Sequence, residues 1–129
     1  MGHLEAGSSE EVRHLITRVF EEVWNQGEIE AAAEIFAEKY VADPGNGEEM
    51  TIRSLQETVL KQRAISPQLH YVVNQFVIDG DWVATRWTGT GIVLDGKEVT
   101  RWGMTLWRIH ESRIVEAWVL TSTASPLRP

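Results

Sequence analysis

The sequence predicts an α+β domain, because two hydrophobic grammars follow one another along the chain. Apolar residues recur at helical spacing in the first half, and a period of two takes over from His70. The absence of cysteine adds a third constraint, removing disulfides, thiolate nucleophiles and cysteine-built zinc sites. At 129 residues the chain can bury a core without such staples. The expected organisation is a tail over residues 1–7 and a single domain over residues 8–129.

Ser8 or Ser9 can cap a first helix, and Glu10 and Glu11 suit the positive end of its dipole. Val12, Leu15, Ile16, Val19, Phe20 and Val23 then form one stripe, which Asn25-Gln26-Gly27 terminates. A second, alanine-rich helix is expected over residues 28–38, burying Ile29, Ala32, Ala33 and Phe36. Asp43-Pro44-Gly45-Asn46-Gly47 has the composition of a loop. A third helix over residues 51–64 should stop before Ser66-Pro67.

Four strands are expected at 70–78, 82–94, 98–109 and 113–122, separated by Asp79-Gly80-Asp81, Asp95-Gly96 and His110-Glu111-Ser112. A two-residue turn at Asp95-Gly96 would set Arg86 opposite Thr105 and Trp87 opposite Met104. One face of the sheet would then carry Arg86, Thr88, Thr90, Ile92, Arg101, Gly103, Thr105 and Trp107. The other would carry Val83, Trp87, Trp102 and Met104, a set too apolar to face water in a monomer. A homodimer through that outer face is the expectation.

The net charge of −7 argues against nucleic acid, whose phosphates demand a basic face. His3, His14, His70 and His110 lie far apart without metal-ligand spacing, so no metal site is expected. The N-terminus lacks the apolar core of a signal peptide, and no segment has the length to cross a membrane. A soluble, cytoplasmic protein without a membrane partner follows as the expectation.

Four segments stand out in order: Trp24-Asn25-Gln26-Gly27-Glu28, Tyr40-Val41-Ala42-Asp43-Pro44, Gly80-Asp81-Trp82-Val83-Ala84-Thr85-Arg86-Trp87 and Glu116-Ala117-Trp118. Together they resemble the SnoaL-like polyketide cyclases, within the nuclear transport factor 2-like superfamily that includes ketosteroid isomerase and limonene epoxide hydrolase. The resemblance implies a cone-shaped α+β barrel, with N-terminal helices packed in the concave face of a strongly curved, mainly antiparallel sheet. A deep apolar pocket would open at one end.

The catalytic residues of these relatives carry over only in part. The strand aspartate of SnoaL-like cyclases corresponds to Thr105, and the histidine common on the preceding strand falls in Thr90-Gly91-Ile92-Val93. The ketosteroid isomerase base matches Asp43, while its oxyanion-hole tyrosine and aspartic acid match Phe20 and Thr105. Of the limonene epoxide hydrolase set, Arg86 matches the arginine, and Thr88 and Leu120 stand where its aspartates would be.

Asp43 and Arg86 are therefore the expected catalytic pair. A carboxylate at the mouth of an apolar pocket would have its pKa raised by desolvation. Arg86 would need an anionic partner, Asp43, Glu116 or a ligand. Phe20, Trp24, Tyr40, Thr88, Thr105, Trp107 and Trp118 are the expected substrate-binding residues, the aromatics supplying shape and the threonines hydrogen bonds. The implied activity is cofactor-independent proton transfer, of isomerase or cyclase type, on an apolar oxygen-bearing small molecule. Epoxide hydration and ligand binding without turnover are the alternatives.

Overall fold

The computed structural model describes residues 8–43 and 48–123. The expected tail over 1–7, most of the 43–47 loop and the end of the expected domain, residues 124–129, lie outside the described residues. Helix α1, Ser9–Arg18, begins in a reciprocal capping box in which Ser8 Oγ accepts from the Glu11 amide and Glu11 accepts from the Ser8 amide. The helix then widens into a π-helical segment, Val19–Asn25, the kind of local irregularity that often accompanies function. Val12, Ile16, Val19, Phe20 and Val23 are all buried, as the stripe requires.

The second helix is shorter than its alanine content suggests. A 3₁₀ turn, Ile29–Ala31, leads into α2, Ala32–Ile35, and the chain becomes strand β1 at Phe36–Asp43. Phe36 is buried and aligns with Ile114 on the last strand, so tertiary pairing overrides local helix propensity. Ala33 is exposed, while Ala31 and Ile35 take the buried positions. A short strand β2, Glu48–Thr51, follows, and Thr51 caps α3, Ile52–Ile65, by accepting from the Ser54 amide.

The remaining strands fall close to their expected positions: β3 His70–Asp79, β4 Trp82–Leu94, β5 Lys97–His110 and β6 Arg113–Thr123. They form one six-stranded sheet in the order β2-β1-β6-β5-β4-β3. Every neighbouring pair is antiparallel except β1 and β6. The helices cover one face of this sheet, where Val12, Ile16, Phe20, Ile35 and Val59 pack against Val83, Trp87, Trp107, Ile109 and Ile114.

The β4–β5 register corrects the expected faces. Leu94↔Lys97 and Ile92↔Val99 follow the two-residue turn, but the register shifts by one between Gly89 and Ile92, giving Arg86↔Met104 and Trp87↔Gly103. Gly91 sits at φ +69 with the Gln68 carbonyl packed where a side chain would be, so it hosts the bulge that shifts the register. From Gly89 back to Trp82, every β4 side chain therefore points opposite to the uniform-alternation reading. Val83 and Trp87 are buried under the helices, not on the outer face, and Arg86, Thr88 and Thr90 lie outside. On β5, Arg101, Gly103, Thr105 and Trp107 share the concave face, and Trp102 and Met104 the convex one.

Candidate functional site

A cavity of about 210 Å³ lies between the π-helical segment and the concave sheet. Val19, Phe20 and Trp24 descend from the helix; Tyr71, Trp87, Arg101, Thr105, Trp107, Val119 and Thr121 rise from β3, β4, β5 and β6. Tyr71 is the hub of the aromatic packing. Its ring meets Phe20, Trp24 and Trp87 edge-on, with centroids 6.3, 5.6 and 5.4 Å away, in the geometry that ring quadrupoles favour. Phe20 also meets Trp107 edge-on at 5.9 Å.

Two glycines make room for this box. A Cβ on Gly89 would lie 2.5 Å from the Tyr71 ring, and one on Gly103 would lie 2.8 Å from the Trp87 indole. Asn25 holds Tyr71 from the other side: its side-chain amide donates to the Tyr71 carbonyl at 2.8 Å and accepts from the Tyr71 amide at 2.7 Å. Since β3 is an edge strand, Asn25 stands in for a missing neighbour and ties the π-helical segment to it. Arg63 fastens the same segment from α3 by donating to the carbonyls of Trp24 and Asn25 at 2.8 and 2.9 Å.

The two buried indoles spend their polar handles inside the protein. Trp87 Nε1 donates to Thr105 Oγ1 at 2.9 Å, and Trp107 Nε1 donates to Thr85 Oγ1 at 3.0 Å. Neither N–H is left for a ligand. Thr105 accepts from Trp87 and keeps its own O–H to donate. Arg101 differs from these groups: its Nε is buried and has no hydrogen-bond partner among the described residues. Burial pushes the Tyr71 hydroxyl pKa up, and the adjacent Arg101 guanidinium opposes that rise through its charge and a hydrogen bond. Among the described residues, no cluster of three metal-ligating side chains forms.

The structure brings Phe20, Trp24, Thr105 and Trp107 together around this cavity. It places Arg86, Thr88, Trp118 and Tyr40 elsewhere. Arg86 lies on the convex face with Nε donating to Gln75 Oε1 at 3.2 Å, and Thr88 lies beside it, bonded to Asn74 Oδ1 at 2.7 Å. The bulge at Gly91 puts both outside. Glu116 pairs with Arg108 at 2.7 Å instead of Arg86. Trp118 is half-buried and donates to Glu116 Oε1 at 2.8 Å, lining an outer groove with Met104, Leu106 and Leu120. Tyr40 is buried against Phe36, with ring centroids 4.7 Å apart, outside the cavity lining. The backbone of Asp43 ends β1 beside Trp118, and its side chain lies outside the described residues.

The lining also contains six residues that were not expected as site residues: Val19, Tyr71, Trp87, Arg101, Val119 and Thr121. Arg101 could have been found by parity, since it alternates with Gly103, Thr105 and Trp107 on one strand. Trp87 was hidden by the bulge. Tyr71, second in β3, carried no local sign of its partners on β4 and the π-helical segment.

Comparison with known proteins adds a family to this geometry. Residues 16–117 match the SnoaL-like domain family. Among solved structures, the chain is similar to a proposed polyketide cyclase from Acidithiobacillus ferrooxidans, with 26% identity over 90% of this chain and 91% of that one, at a TM-score of 0.76. It is also similar to IdmH, a proposed polyketide cyclase from Streptomyces antibioticus, with 21% identity over 85% and 91% of the two chains and a TM-score of 0.71. TsrD from Streptomyces laurentii gives a TM-score of 0.77 at 15% identity over 90% and 91%. The last two likenesses are of fold alone. Among curated proteins, none matches the sequence.

Proposed function

The chain belongs to the SnoaL-like domain family, and on that premise we propose that it binds an apolar, oxygen-bearing small molecule and acts on it by proton transfer, as an isomerase or cyclase does. The observation that carries this reading is the aromatic cavity of Phe20, Trp24, Tyr71, Trp87 and Trp107, with Arg101 as the one charged residue among the described residues of its lining. Apolar walls with a few convergent polar groups are the usual form of a small-molecule site. The rings hold the hydrocarbon part of the ligand, and the hydroxyls of Tyr71 and Thr105 hold its reacting oxygen.

Asp43 remains the general base of this proposal, on sequence grounds. It would take a proton from the carbon next to a carbonyl, and the electron pair would move onto the carbonyl oxygen, where the hydroxyls meet the charge. Returning the proton to another carbon isomerises the ligand, whereas attack of the carbanion on a second carbonyl carbon closes a ring, the C=O π pair moving onto that oxygen, which takes the proton back from Asp43. Hydrogen bonds to such an oxyanion gain strength in a water-poor site.

Carboxyl titration by NMR tests the base before any substrate is known. An Asp43 pKa above the ordinary value of about 3.9 is expected, and Asp43→Asn should cost on the order of a hundredfold or more in turnover while leaving binding within a few fold. A pKa at or below the ordinary value removes the base. It would leave the second reading, binding without turnover, which has its own support: the described lining holds no carboxylate and no imidazole.

A further inference from the structure

We infer that the ligand carries a carboxylate, and that the side-chain fork of Arg101 is its anchor, so that the cavity is selective for small cyclic acids over their neutral counterparts. This inference rests on the binding reading above and narrows its substrate class.

Among the described residues, Arg101 Nε is buried with no partner, and no carboxylate stands in the cavity lining beside it. A guanidinium stays charged at any physiological pH, so a desolvated and unpaired N–H is costly until an anion meets it. Nε and the neighbouring Nη present two parallel N–H groups, which match the two oxygens of a carboxylate better than the single oxygen of a ketone. Tyr71 reinforces the choice, because its hydroxyl lies beside the same guanidinium and its proton is firmly held in the buried site.

The aromatic walls narrow the rest of the molecule. A box of indole and phenyl rings would otherwise suit a quaternary ammonium ligand, but the Arg101 charge repels a cation. The N–H groups of Trp87 and Trp107 are already bonded to threonines, so these two indoles offer faces and edges and no polar contact. The cavity of about 210 Å³ is somewhat larger than the roughly 150 Å³ that accommodates benzene in a protein interior. It fits one substituted six-membered ring whose acid group reaches Arg101, not a fused polycycle.

Phenylacetate, phenylacetamide and toluene separate these points when titrated into the full-length protein by calorimetry, with indole fluorescence as a second readout. Phenylacetate should bind about tenfold more tightly than phenylacetamide, the scale of one charge-assisted fork. Arg101→Gln should collapse that preference and leave toluene binding intact. Arg101→Lys, which keeps the charge and loses the fork, should retain only part of it. Equal affinity for acid and amide in the wild type overturns the carboxylate anchor without needing any variant to fold, and so does a preference that survives Arg101→Gln. If toluene binds with no preference for the acid, the apolar cavity stands and the anchor falls. If none of the three binds, the cavity reading itself falls with it.

Discussion

Both faces of β4, β5 and β6 carry aromatic and aliphatic side chains and treat them in opposite ways. On the concave face Val83, Trp87, Trp107 and Ile109 are buried under the helices, and both indole N–H groups are bonded to threonine. On the convex face Trp82, Trp102, Met104, Leu106 and Leu120 remain exposed, Met104 at 53% and Leu120 at 77%. An aromatic or aliphatic residue type therefore does not tell which face it occupies. The register does, and it turns on one glycine. The exposed set forms an apolar groove with Trp118, and we propose that a second copy of the chain covers it.

The sharpest break of this comparison is a pair of tryptophan truncations. Trp107→Ala should cost about 3–5 kcal/mol, since it removes a buried indole and leaves the Thr85 hydroxyl without its donor. Trp118→Ala, on the half-buried outer side, should cost only about 1–2 kcal/mol. Urea midpoints at unchanged slope measure both. Equal losses would mean that the outer groove is as tightly packed as the core.

Next in size is the bulge. Gly91→Ala should cost about 1–3 kcal/mol from left-handed strain, with an added clash against the Gln68 carbonyl. Gly96→Ala is the internal control, because Gly96 also has positive φ but has open space around it. If the two substitutions cost the same, the Gln68 contact is not what holds the register shift in place.

That glycine also marks where the sequence stopped being legible. The four C-terminal strands, the capping box and α3 all follow from local pattern, because turn residues and alternation are written within a few residues of where they act. β1 is different: Phe36-Ala37-Glu38-Lys39 has helix-forming composition, and its strand conformation comes from β2 and from the parallel partner β6, which lies far along the chain. The site was readable on β5, where alternation is unbroken, and misread on β4, where a single inserted residue exchanges the faces. Arg101 is the arginine of the cavity lining, and Arg86, the expected one, lies on the convex face.

A smaller effect concerns assembly. Leu120→Glu places a charge on the most exposed apolar residue of the convex face and should weaken self-association by about 2 kcal/mol if Leu120 lies at the centre of the interface. Sedimentation of wild type and variant reads this directly. The fold and the concave cavity should be unaffected. A wild-type chain that sediments as a monomer at micromolar concentration would show that the convex face has no second copy on it.

The smallest effect lies in the convex face's polar anchor. The Trp118 N–H, then Arg108, holds the Glu116 carboxyl below its usual range, and partial burial opposes them. A carboxyl whose folded pKa is depressed adds stability above its unfolded value, here 4.5, and loses it as pH falls through the folded value. Glu116→Gln keeps an acceptor for the indole and removes the charge. The wild type should therefore be more stable than Glu116→Gln at pH 7 by at most about 1 kcal/mol, the range of a partly exposed ion pair. That gap should shrink steadily below pH 4.5 and narrow further in high salt. A gap that persists unchanged into strong acid would mean that shape, not charge, fixes Trp118 over the groove. The convex face would then be held by packing alone, as the concave one largely is.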